Sequence, residues 1–103
     1  MMTNDFPALR TELRQGYRDL MQVIPDQMKG FGDLHRSAVK DGALNQATKE
    51  LMAVAIAICT RCDDCITLHM HDALRAGATP EMVHEAIGVA LLMGGGPAST
   101  YAT

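Results

Sequence analysis

Apolar side chains recur at helical spacing from the start of the readable pattern. Phe6, Leu9, Leu13, Tyr17, Leu20, Met21 and Ile24 fall on one face, which predicts a helix over 6–24. Pro25 ends that helix and suits the first position of a second one, because that position needs no backbone donor. Met28, Phe31, Leu34 and Ala38 form the stripe of the second helix, expected to stop near Asp41-Gly42. Asn45 stands where a side chain can cap a third helix starting at Gln46.

The third helix changes character. From Leu51 to Ile58 every residue is apolar, so this segment is expected to be enclosed on all sides. Its Leu, Met, Ala and Ile content favours helix over a buried strand. A restart follows at Thr60-Arg61-Cys62-Asp63-Asp64, with Thr60 as the expected cap and two carboxylates near the positive end of the helix dipole. This fourth helix should run to about Ala76 and stop at Gly77. Thr79-Pro80-Glu81 then opens a fifth, with a capping hydroxyl, Pro at the first helical position and an early acid. It is nearly all apolar after Glu85, and Gly94-Gly95-Gly96-Pro97 should terminate it before a short polar tail. Those glycines are no phosphate loop, since no strand precedes them and no Lys follows.

The pattern is that of one all-α domain over residues 1–103, with about five to six helices. Two helices apolar all round exceed what so short a chain can cover alone, which implies burial against identical subunits.

Composition sharpens this picture in three places. Only four of 103 residues are aromatic and none is Trp, while eight are Met, so the core must be built from small and flexible aliphatic side chains. The net charge of −3 speaks against nucleic acid, which calls for clustered positive charge. Arg10, Arg14 and Arg18 repeat every four residues and read as a solvated helix face. No basic segment followed by an apolar run opens the chain, and no apolar stretch reaches the roughly 18 residues of a membrane span. The expected compartment is the cytoplasm, where a close cysteine pair is more often catalytic or metal-binding than structural.

All three cysteines lie between Glu50 and His69. Cys62 and Cys65 are three apart, so a helix places their Cβ atoms about 5–6 Å apart on one face, close to disulfide range. The amides and dipole of a helix start favour thiolate over thiol. His69 follows Cys65 by one turn, positioned to stabilise a thiolate or to take a thiol proton. Glu50 has two readings: a solvated residue in the first turn of its helix, or a carboxylate turned towards the Cys/His cluster. A C-x-x-C-x-x-C cubane would need a fourth cysteine. Zinc on Cys62, Cys65 and His69 would need donors about 3–4 Å apart from residues separated by a helical rise of about 10 Å. Cys59 is expected to be a small buried hydrophobe, and His35, His71 and His84 have no companion at useful spacing. A thioredoxin fold, whose C-x-x-C follows a strand, does not match.

Glu50, eleven residues, Cys62-x-x-Cys65, three residues and His69 together resemble the core motif of the alkylhydroperoxidase D-like proteins in the carboxymuconolactone decarboxylase superfamily. The A-L-R-A-G-A-T-P-E-M-V-H-E-A-I segment and the M-G-G-G-P-A close are similar too, so the resemblance covers roughly residues 45–99. It implies an all-α fold assembled as a homotrimer or homohexamer. It also implies a thiol-dependent peroxidase that uses no metal or organic cofactor. Cys65 would be the peroxidatic cysteine, Cys62 the resolving one, and Glu50 with His69 a proton relay. The implied partners are a hydroperoxide and a dithiol reductant, such as a lipoyl-bearing or thioredoxin-like protein. One departure stands out: Asp63 and Asp64 lie between the cysteines, where some members carry a histidine beside the second. Carboxylates turned inward there would raise the thiol pKa values. Two other readings remain open: an oligomeric redox-sensing or binding module without turnover, and a decarboxylase-like enzyme. The family's lactone decarboxylases lack the cysteine pair.

Overall fold

The computed structural model describes residues 5–102. It contains α1 (Phe6–Val23), α2 (Pro25–Val39), α3 (Gln46–Cys59), α4 (Asp63–Arg75) and α5 (Pro80–Ala102), with no strand among the described residues. Local chemistry starts α2, α3 and α5 as the sequence predicts. The Asn45 side chain accepts from the Thr48 amide at 2.8 Å, and the Thr79 hydroxyl accepts from the Met82 amide at 3.2 Å. Each such cap contributes about 1 kcal/mol. At the head of α1, Asp5 accepts from the Ala8 amide. Pro25 and Pro80 occupy the first positions of α2 and α5.

The glycine run interrupts α5 as expected, but by a single residue. Gly95 has φ 69° and ψ −150°, a backbone region that glycine alone enters readily. The polar tail expected beyond it is instead helical to Ala102, since Pro97 falls in the first turn after the break, where its missing donor is harmless.

α3 is the axis of the molecule, packed along both α4 and α5. Val54, Ala57 and Ile58 of α3 meet Ile66 of α4 and Ala90 of α5 in one buried cluster. Ala47, Ala73 and Ala78 form a second. Small side chains dominate both, which suits a chain with almost no aromatic residues. By contrast α1 and α2 bury no residue fully. They pack on each other, and touch the remainder through α1 against α4 and α2 against α3.

The expectation that residues 51–58 are enclosed on all sides fails within one chain. Val54 and Ile58 are buried, whereas Met52 and Ile56 are 50% and 61% exposed. The reason is geometric: α4 and α5 cover two sides of α3, and the molecule is a slab of 39 × 36 × 21 Å with no further layer. Leu92 and Met93 on α5, and Phe31 and Leu34 on α2, are exposed as well.

Two measurements follow from this packing. Ile58→Ala is expected to destabilise the fold by about 2–5 kcal/mol in denaturant unfolding, the range for a large aliphatic side chain removed from a close-packed site. Light scattering at micromolar concentration is expected to give the mass of three or six chains, because the exposed apolar faces of α2, α3 and α5 call for cover. A stable monomer would contradict that assembly.

Candidate active site

The turn between α3 and α4 sets the cysteines. The Arg61 amide donates to the Ile58 carbonyl at 3.2 Å and the Cys62 amide to the Ala57 carbonyl at 3.0 Å. That pair of bonds is the Schellman closure, which needs a left-handed residue just past the helix. Here it is Arg61, with φ 58°, where an L-residue costs about 1–2 kcal/mol. The same closure ends α4, but with Gly77 at φ 104° in the left-handed place. Thr60 therefore terminates α3 and does not cap α4, contrary to the sequence expectation. The cap of α4 is Cys62 itself, whose sulfur accepts from the Cys65 amide at 3.2 Å. Without a glycine at 61, nothing in the sequence marks this turn.

Cys62 and Cys65 are joined as a disulfide, their Cα atoms 5.2 Å apart. Both are half-buried. Cys59, expected in the interior, is exposed, and its thiol donates to the Ala90 carbonyl at 3.5 Å. It sits on the last turn of α3, where the Ala90 carbonyl of α5 meets the thiol but the residue stays open to solvent. Of the two intervening acids, Asp63 is buried, with Oδ1 lacking a hydrogen-bond partner, while Asp64 faces outward.

Of the two readings of Glu50, the structure decides for the inward one. Its side chain is 1% exposed, and His69 Nδ1–H donates to Oε1 at 3.0 Å. Burial pushes the Glu50 carboxyl above its ordinary range. The bond and charge of His69 pull it back, and the nearby Asp72 carboxylate raises it further. With Nδ1 donating to the acid, the other ring nitrogen of His69 is left as the basic one. α4 is continuous from Asp63 to Arg75, so Cys65 and His69 share a face one turn apart, a rise of about 6 Å.

Two further residues belong here. His35, expected to stand without a companion, lies edge-on to His69, ring centroids 5.6 Å apart and planes at 86°. Asp72 completes a group of four with His35, Glu50 and His69. His69 and Asp72 are three apart on α4, a spacing legible as one helix face. His35 is brought in only by the packing of α2 against α3.

Known proteins share this arrangement of helices. A protein of the carboxymuconolactone decarboxylase family from Legionella pneumophila, in its apo form, superposes with a TM-score of 0.92 at 36% identity, covering 97% of this chain and 89% of that one. The model of the carboxymuconolactone decarboxylase family matches residues 25–103. The chain belongs to that family. A Thermotoga maritima member, for which a part in an antioxidative response has been suggested, superposes with a TM-score of 0.80 at 30% identity, covering 90% of this chain and 80% of that one. An uncharacterized protein of Cupriavidus necator is 40% identical over 102 residues, spanning 99% of this chain and 90% of its own length.

Cys62 and Cys65 are expected to interconvert between dithiol and disulfide. After mild peroxide, peptide mass spectrometry should map the loss of two hydrogens to this pair. A bridge to Cys59 instead would overturn the pairing.

Proposed function

We propose that this family member is a thiol-dependent peroxidase, reducing hydroperoxides through Cys62 and Cys65 with Glu50 and His69 as its proton relay. The observation that carries the reading is a joined cysteine pair at the start of a helix, one turn from a histidine held by a buried carboxylate. Family membership supports it, and so does the antioxidative suggestion for the Thermotoga maritima relative.

The steps balance as follows. The Cys65 thiolate attacks the terminal oxygen of a hydroperoxide, and the O–O bond breaks. Cys65 becomes a sulfenic acid, and the departing alkoxide takes a proton, through the relay, to leave as an alcohol. The Cys62 thiolate then attacks the Cys65 sulfur, forming the disulfide and releasing the sulfenic oxygen as water. Cys62 caps α4 with its sulfur beside the Cys65 amide, within reach of Cys65 for this step. An external dithiol, carried by a lipoyl-bearing or thioredoxin-like protein, reduces the pair by two exchanges and is itself oxidised to a disulfide. A cleft of about 410 Å³ lined by Glu12, Leu13, Gly16, Tyr17, Leu20 and Asp64 meets the cysteine turn at Asp64, and its largely apolar wall suits an organic hydroperoxide. No described helix is long and apolar enough to cross a membrane. The working form is a homotrimer or homohexamer acting in the cytoplasm.

The division of labour follows from helical rise. His69 is one turn from Cys65 and two from Cys62, about 6 Å against about 10 Å, so the base serves Cys65 first. Cys65→Ser should abolish peroxide consumption with a dithiol donor. Cys62→Ser should permit one oxidation, leaving a sulfenic acid on Cys65 that a dimedone-type probe traps. Glu50→Gln and His69→Gln should slow that oxidation by roughly 10²–10⁴-fold, the usual effect of losing a general acid–base group. Labelling of Cys62 in Cys65→Ser, with the fast oxidation retained, would reverse the roles. A single oxidation without turnover on any dithiol would favour a redox sensor.

A further inference from the structure

Along the sequence, zinc has only the two cysteines and His69 as a candidate donor set, and helical rise disfavours it. The tertiary structure brings together a different donor set. His35 comes from α2, Glu50 from α3, and His69 and Asp72 from successive turns of α4. One ligand-type atom from each lies within 4.8 Å of all the others. Two imidazoles and two carboxylates are nitrogen and oxygen donors that suit divalent first-row transition ions, and their two negative charges balance such an ion.

A second observation points the same way. Glu50 is fully buried, and its Oε2 has no hydrogen-bond partner while Oε1 holds His69. A buried carboxylate oxygen left bare is costly, and a cation satisfies it. The group also has an approach from solvent. His35, Glu50 and Asp72 line a cleft of about 250 Å³ together with Gln46 and Arg75, and His35 is exposed. Among the described residues no ion pair ties Arg75 to Asp72, and the Asp72 carboxyl lies against that of Glu50, two acids that a cation would hold together.

We propose that His35, Glu50, His69 and Asp72 form a binding site for one divalent transition-metal ion of the zinc class. Bond lengths of about 2.0–2.2 Å set the donor atoms about 3–4 Å apart. Binding therefore requires the exposed His35 and half-buried Asp72 to draw inward from their present spacing. The site leaves the cysteines out, and it stands independently of the peroxidase reading. Because it shares Glu50 and His69 with the relay, a bound ion would occupy the groups that serve Cys65.

The test uses the full chain with Cys62 and Cys65 oxidised, freed of metal by chelation, and in parallel the Cys62→Ser/Cys65→Ser variant. Equilibrium dialysis against Zn²⁺ should give one ion per chain in both. His35→Ala and Asp72→Asn should each weaken binding at least tenfold while circular dichroism stays that of the parent. Cobalt(II) in place of zinc should show ligand-field absorption without thiolate charge-transfer bands, and paramagnetically shifted ring protons from two histidines. The cobalt spectrum decides even if a variant fails to fold. Absence of stoichiometric binding, undiminished affinity in both variants, or loss of binding in the cysteine variant would each overturn the site. Failure of peroxide turnover would leave it untouched.

Discussion

A carboxylate cut off from water must find its compensation inside the protein, and Glu50 is such a carboxylate. Left unpaired, a buried charge costs several kcal/mol. The bond from His69 meets part of that cost and joins α3 to α4 at the level of the site. It also orients the imidazole, fixing which nitrogen faces the acid and which remains basic. The apolar clusters of α3, α4 and α5 supply the stability that lets the acid stay buried. The site is thus purchased with core packing.

The second constraint is the turn at Thr60–Cys62. Ending one helix and starting the next within three residues requires a left-handed residue, and the chain places an arginine there where the end of α4 has a glycine. Backbone strain at a position beside functional groups persists only when the surroundings hold it. What it secures is the placement of the Cys62 sulfur at the amide end of α4, with Cys65 in the first turn behind it.

Both constraints sit within a molecule that is open on its apolar sides. One layer of helices covers α3, while α1 and α2 form a lightly attached pair with no fully buried side chain. Their apolar stripes have the periodicity of core helices, which is why the sequence reads as buried where one chain leaves it exposed. The site faces a different partner: its polar cleft is formed by α2, α3 and α4 of the same chain.

Sequence by itself determined the helices and their chemistry. Asn45, Thr79, the prolines and the glycines act through contacts within a few residues, so the starts of α2, α3 and α5 and the break at Gly95 are legible from pattern alone. The Cys62/Cys65 spacing and the one-turn offset of His69 are legible for the same reason: a helix converts sequence distance into position. Where the structure departs from the sequence pattern, the cause lies in through-space packing or in backbone strain. Arg61 takes a conformation that its residue type disfavours, so the cap fell to Cys62 instead of Thr60. Cys59 meets α5 at the Ala90 carbonyl yet stays exposed at the end of α3, so an apolar neighbourhood in sequence did not become burial. Glu50 read locally as a solvated first-turn residue or as an inward carboxylate, and only the approach of α4 chose the inward one. His35 stands far from His69 along the chain, and no periodicity relates a residue of α2 to one of α4. Their meeting depends on how α2 lies against α3, a packing angle set by side-chain fit between distant segments.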